Sequence, residues 1–140
     1  MHLSPREPST AFSEALPLTR YSRGMGAIGL PGDLSSASRF VRAAFVRANA
    51  HSDDHEPASV SQFFHILGAE EQPRGCCVLD DGAYEITLYT SCCNATRGIY
   101  YYTTYDNRCI TAVELHREQL AGTALVHYPL LLAGEIPRQN

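Results

Sequence analysis

Two stretches of the chain repeat apolar residues at helical spacing, and a third alternates them. Over residues 38–50, Phe40, Ala44 and Ala48 fall on one stripe with Val41 and Phe45 beside them, which predicts an α-helix that buries Phe40 and Val41. Ser35 and Ser36 precede it and can cap its free N–H groups, while Arg42 and Arg47 are expected on or near its solvated edge. The polar stretch 51–57 then separates it from a second helix, in which Val60, Phe63, Phe64 and Leu67 recur at i, i+3, i+4 and i+7 and Gly68 suits the C-terminal cap.

After Pro73 the period changes. Residues 75–80, 83–93, 98–105 and 109–116 are rich in Val, Ile, Tyr and Thr and are divided by turn residues, which predicts a four-strand antiparallel meander and an α+β fold. The short loops place Cys93 opposite Gly98 and Tyr105 opposite Cys109. One face then carries Ile86, Leu88, Ile99, Tyr101, Val113 and Leu115, the other Tyr89, Tyr100, Tyr102, Ile110 and Ala112. Neither face is polar, so both need cover. The helices can supply one side. Residues 117–140, broken by Pro129 and Pro137, are not expected to supply the other, which implies a second layer, another sheet, outside this chain. Residues 1–34 contain Pro5, Pro8, Pro17 and Pro31 and cluster their glycines between Gly24 and Gly32, which predicts an irregular arm whose preceding element is absent.

Composition narrows the function classes. A chain of 140 residues, 44% apolar and 19% charged, fits one folded domain. A net charge of −4 with interspersed signs offers no basic face for nucleic acid. No apolar run approaches the ~20 residues that span a bilayer, and the start lacks a signal-peptide core, so a cytoplasmic protein with no membrane partner is expected. The five cysteines, Cys76, Cys77, Cys92, Cys93 and Cys109, are odd in number, which points to reduced thiols.

The adjacent cysteines do not read as a metal site, because neighbours on a strand point to opposite faces and zinc pairs favour two to four intervening residues. Cys92 or Cys93 with His51, His65 or His116 would make a nucleophile and base, but no spacing selects a pair. Asp80, Asp81 and Gly82, and Asp106 with Asn107, fit hairpin turns better than paired carboxylates or a calcium loop. The sequon at Asn94 is assigned no role, and Tyr100, Tyr101, Tyr102 and Tyr105 read as core. Arg39 stands apart: it follows a Gly/Pro/Ser loop in the first turn of a helix, where its side chain can point back over the loop and clamp a carboxylate or support an oxyanion. Spacing alone favours a solvated helix arginine over that role.

Several segments resemble one family in order. Residues 29–45 read GLPGDLSSASRFVRAAF, residues 61–68 SQFFHILG, residues 84–91 YEITLYTS and residues 99–107 IYYYTTYDN. These are similar to the choloylglycine hydrolases, and the similarity runs from about residue 3 to residue 129. The resemblance implies a partial αββα sandwich of the N-terminal nucleophile hydrolase type, with residues 1–34 as an assembly arm, 35–69 as two helices, 75–116 as strands and 117–140 as a tail. It implies hydrolysis of linear amides without a cofactor or metal: bile acids conjugated to glycine or taurine in one branch, penicillin V in the other. The family's nucleophile is an N-terminal Cys that no residue here matches, so the chain is expected to be truncated and inactive alone. From the family's catalytic set only Arg39 carries over. A homotetramer is implied for the intact enzyme. The alternative reading is a non-enzymatic subunit that completes a separately encoded N-terminal half.

Overall fold

The computed structural model describes residue 27 and residues 29–139. The irregular arm expected over residues 1–34 therefore lies largely outside the described residues, as does the assembly role attached to it. Two helices, α1 (Ser36–Asn49) and α2 (Glu56–Gly68), precede three strands, β1 (Tyr89–Asn94), β2 (Ile99–Thr104) and β3 (Thr111–Glu114), and a 3-10 turn, Leu115–Arg117, follows.

Each helix starts where its capping groups stand. Ser35 is the N-cap of α1, its Oγ accepting from the Ser38 N–H at 3.4 Å. Asp33 reinforces the cap by accepting from the Ser35 N–H at 2.9 Å and the Ser38 hydroxyl at 2.5 Å. Those hydrogen bonds, Ser35's first, hold the Asp33 carboxyl down at about 2. In α2, His55 Nδ1 accepts from the Ala58 N–H at 3.4 Å, and Pro57 lies in the first turn, where its missing N–H is not needed.

The orientation of α1 reverses the expected one. Phe40 is 73% exposed and Val41 43%, whereas Ser38 is buried and Arg39, Arg42, Ala43 and Val46 are half-buried. The polar edge turns inward because it carries the groups that must be satisfied there: Arg42, expected near solvent, donates to Pro31 O at 3.2 Å and Asp33 O at 2.7 Å and pairs with Glu70. Phe40, Ala44 and Ala48 are left outside with Val41, while Phe45 beside them is half-buried.

The sheet has three strands in the order β1-β2-β3, all antiparallel, not four. The expected first strand is reduced to a bridge between Val78 and Tyr84 around a tight turn, where Gly82 takes φ +82° and donates its N–H to Leu79 O at 2.9 Å. The chain then leaves strand pairing because Thr87 exchanges hydrogen bonds with Gln72, N–H to O at 3.1 Å and Gln72 N–H to Thr87 Oγ1 at 2.9 Å.

Both registers differ from expectation. Cys93 lies opposite Tyr100, a shift of two, since Asn94 Oδ1 caps the turn by accepting from the Arg97 N–H at 3.1 Å and Gly98 turns it at φ +63°. A shift of two preserves the faces. Between β2 and β3, Tyr102 lies opposite Thr111, a shift of one that moves Val113 to the face of Tyr100 and Ala112 to that of Tyr101. Asn107 sets this wider loop: its carbonyl accepts from the Thr104 N–H at 2.9 Å and its Oδ1 from the Cys109 N–H at 3.0 Å.

The face of Ile99, Tyr101 and Asn94 meets α2. On the opposite face the tail supplies more cover than expected. The Leu131 carbonyl accepts from Thr104 Oγ1 at 3.1 Å and Asn107 Nδ2 at 3.3 Å, and its N–H reaches the Tyr102 hydroxyl at 3.4 Å. Tyr102 and Thr104 are buried by this, while Tyr89 stays 54% and Tyr100 40% exposed. Among the described residues, Ile99 and Tyr102 are the buried hydrophobic side chains, and no helix is long and apolar enough to cross a membrane.

Candidate functional site

Arg39 occupies the first turn of α1, placed there by the Asp33–Ser35–Ser38 cap. Its side chain does not return over the preceding loop. It crosses instead to the exit of α2, where Nε donates to the Glu70 carbonyl at 3.0 Å. A guanidinium is favoured there because main-chain carbonyls at a helix C-terminus lack helical partners. Arg39 lines an open cleft of about 310 Å3 together with Leu67, Glu71, Thr87, Thr90 and Ser91. Among the described residues neither Nη nitrogen of Arg39 has a hydrogen-bond partner, so a planar pair of donors is available at the cleft.

Beneath it lies Glu70, 8% exposed, whose Oε2 accepts from Arg42 Nη2 at 3.3 Å. Its Oε1 is buried without a partner among the described residues. Glu70 and Arg42 carry no sequence signal of this role, because Arg39 is received by a main-chain carbonyl and any residue supplies one.

The other candidates are not drawn together. Cys92 and Cys93 sit opposite Tyr101 and Tyr100 and so point to opposite faces. Burial pushes the Cys92 thiol up, away from a reactive thiolate. His51, His65 and His116 are exposed, and among the described residues none is hydrogen-bonded to a cysteine. Asp81 serves its turn, accepting from the Ala83 N–H at 2.9 Å. Tyr105 accepts from the Arg74 N–H at 2.8 Å beneath the Arg74 guanidinium. No three His, Cys, Asp or Glu side chains among the described residues converge as metal ligands would.

A second polar cluster ties α2 to the sheet. Glu56 accepts from the Tyr101 hydroxyl at 2.8 Å and Asn94 Nδ2 at 2.6 Å, and pairs with Arg97. The Tyr101 hydrogen bond is the main cause holding the Glu56 carboxyl below its ordinary value. Asn94, the sequon residue, is thus engaged within the fold.

The model of linear amide C–N hydrolases of the choloylglycine hydrolase family matches residues 1–128. A bile salt hydrolase/transferase of Lactiplantibacillus plantarum is 57% identical over 128 residues, which are 91% of this chain and 40% of that protein. One from Clostridium perfringens is 40% identical over 111 residues, 79% of this chain and 34% of its own. The chain thus spans well under half the length of these curated relatives. A solved mutant conjugated bile acid hydrolase from Clostridium perfringens superposes with a TM-score of 0.78 at 37% identity, over 88% of this chain and 37% of that one. A penicillin V acylase from Agrobacterium tumefaciens, at 17% identity and a TM-score of 0.55 over 66% of this chain, shares the fold. With the family match running through the Asp33 cap, Arg39, both helices and all three strands, the chain belongs to the choloylglycine hydrolase family of linear amide C–N hydrolases.

Proposed function

We propose that this chain is the part of a conjugated bile salt hydrolase that presents Arg39 to the reacting amide. The observation that carries the reading is Arg39 itself, anchored through Nε at Glu70 and lining a cleft, with neither Nη group hydrogen-bonded among the described residues. The named activities of the relatives support bile salts over penicillin V, since the acylase likeness is one of fold alone. By family resemblance, the α-amino group of an N-terminal Cys takes the proton of its own thiol, the thiolate attacks the amide carbonyl, the C–N bond breaks as that proton passes to the leaving amine, and water hydrolyses the resulting thioester to free the acid and the thiol. None of the 140 residues matches that Cys. Arg39 in this scheme orients and polarises the nucleophile end of the site, as a fixed cation does without reorganising during the reaction. Residues 1–140 alone are therefore inactive; by the same family resemblance the intact enzyme is a homotetramer.

The test is to assay purified 1–140 with glycine- and taurine-conjugated bile salts and with penicillin V, alone and co-produced with the N-terminal portion of the Lactiplantibacillus plantarum relative. Activity is expected only in the co-produced sample, on bile salts, and lost in Arg39→Leu. Turnover by 1–140 alone that a thiol reagent abolishes would overturn the inactivity. A co-purified but silent complex would favour the non-enzymatic subunit. Sedimentation of an active complex checks the tetramer.

A further inference from the structure

Arg39 and Arg42 lie one turn apart on α1, and both reach the same residue. Arg39 takes the main chain of Glu70, Nε to O at 3.0 Å, and Arg42 takes its side chain, Nη2 to Oε2 at 3.3 Å. Glu70 is among the most buried polar residues described, with its side chain 10% exposed. A carboxylate in that position must be paired, and with Oε1 unpartnered among the described residues, Arg42 is its one cation there. Arg42 also donates through Nη1 to Pro31 O and Asp33 O, so a single guanidinium joins the loop before α1, α1 itself and the exit of α2. Gln72 closes the frame: its Nε2 donates to Leu34 O at 3.3 Å, and its main chain is tied to Thr87 ahead of β1.

We propose that Arg42 and Glu70 are positioning residues for Arg39. Their ion pair fixes the Glu70 peptide against α1, the fixed carbonyl holds Arg39 Nε, and the captured Nε sets the plane in which the Nη donors meet the cleft. Neither residue touches a reacting atom. The inference deepens the reading of Arg39 given above and rests on it for the use of the site, but its test reads Arg39 directly and does not require turnover.

The experiment is water exchange of the arginine Nε–H groups in the 15N-labelled full chain, with Arg39 assigned by the signal lost in Arg39→Lys. In the wild type, Arg39 Nε–H should exchange roughly tenfold more slowly than that of exposed Arg47, the protection one net hydrogen bond confers. Arg42→Met should bring Arg39 to the rate of Arg47, and Glu70→Gln should bring it part of the way, while Arg47→Met leaves it unchanged. Should Arg42→Met fail to fold, Glu70→Gln, which keeps shape and an acceptor, carries the comparison. Arg39 exchanging as fast as Arg47 in the wild type, or protected equally in both variants, would overturn the proposal. Protected Arg39 with no turnover in any co-produced complex would instead remove the bile salt reading and leave the positioning frame standing.

Discussion

Removing Arg42 should cost more stability than removing Glu70, although the two form one ion pair. Arg42→Met leaves the Glu70 carboxylate 90% covered with no cation, since its other oxygen has no partner among the described residues. Breaking a buried pair this way costs about 3–5 kcal/mol. The neighbouring cleft is open and Arg42 is 17% exposed, so water can reach the vacated place and the low end, about 3 kcal/mol, applies. Glu70→Leu is different. Arg42 keeps the carbonyls of Pro31 and Asp33 at 3.2 and 2.7 Å, so what is lost is one charge-assisted hydrogen bond, worth about 1.5 kcal/mol.

In the double variant the unpaired carboxylate no longer exists, and its penalty goes with it. Its loss should be smaller than the sum of the single losses by about 2 kcal/mol, a coupling readable in a double-mutant cycle. Urea unfolding followed by far-UV circular dichroism at neutral pH gives the three differences, provided the urea dependence stays constant across the set. Equal losses in the two single variants, or a coupling below about 0.5 kcal/mol, would refute the reasoning, because Glu70 would then be solvated rather than held.

Two further outcomes follow from single contacts. Tyr101→Phe removes the donor that most depresses the Glu56 carboxyl, so Glu56 should titrate at higher pH, read from its carboxyl carbon shift; an unchanged midpoint would discount that hydrogen bond. Because the folded value lies below the unfolded one, the stability Glu56 contributes is present above its unfolded value and lost as pH falls through the folded one. In Tyr101→Phe that acid loss should be smaller and complete at higher pH, its onset being set by the unchanged unfolded value. Gly98→Ala should lower the urea midpoint by the equivalent of about 1–2 kcal/mol, the cost of a side chain at left-handed backbone. The new Cβ would also stand 2.8 Å from the His116 imidazole, which must swing away, and an unchanged midpoint would mean the β1–β2 turn had relaxed.

The α+β class and both helices were legible because they depend on period and capping, which residue type encodes directly. Strand positions in β1 and β2 were legible for the same reason, and the two-residue error in their register left every face intact. The β2–β3 error came from a different source. Asn107 uses both its carbonyl and its side chain to hold a wider loop, and no turn dipeptide announces that geometry, so Val113 and Ala112 exchanged faces. The lost first strand likewise follows from Thr87 preferring Gln72 over a strand neighbour, a contact 15 residues apart that alternation does not describe.

Arg39 stands out in the sequence through its motif, but its setting does not, for a reason that also explains the turned helix. An apolar stripe identifies which face of a helix needs cover, but it does not identify which cover the chain itself provides. In α1 the polar edge has partners within the chain: three main-chain carbonyls, from Pro31, Asp33 and Glu70, and one carboxylate. Carbonyls leave no mark on residue type, so Arg39 and Arg42 looked solvated when they are the inward groups. Phe40 and Val41 have no equivalent partner among the described residues and lie outward, against the usual economy of a soluble surface. Residues 29–139 leave that stripe largely uncovered. The same holds for Tyr89 and Tyr100, which the tail leaves open while covering Tyr102. The polar frame around Arg39 is therefore satisfied largely from within the chain, whereas among the described residues the apolar surfaces around it find no such cover.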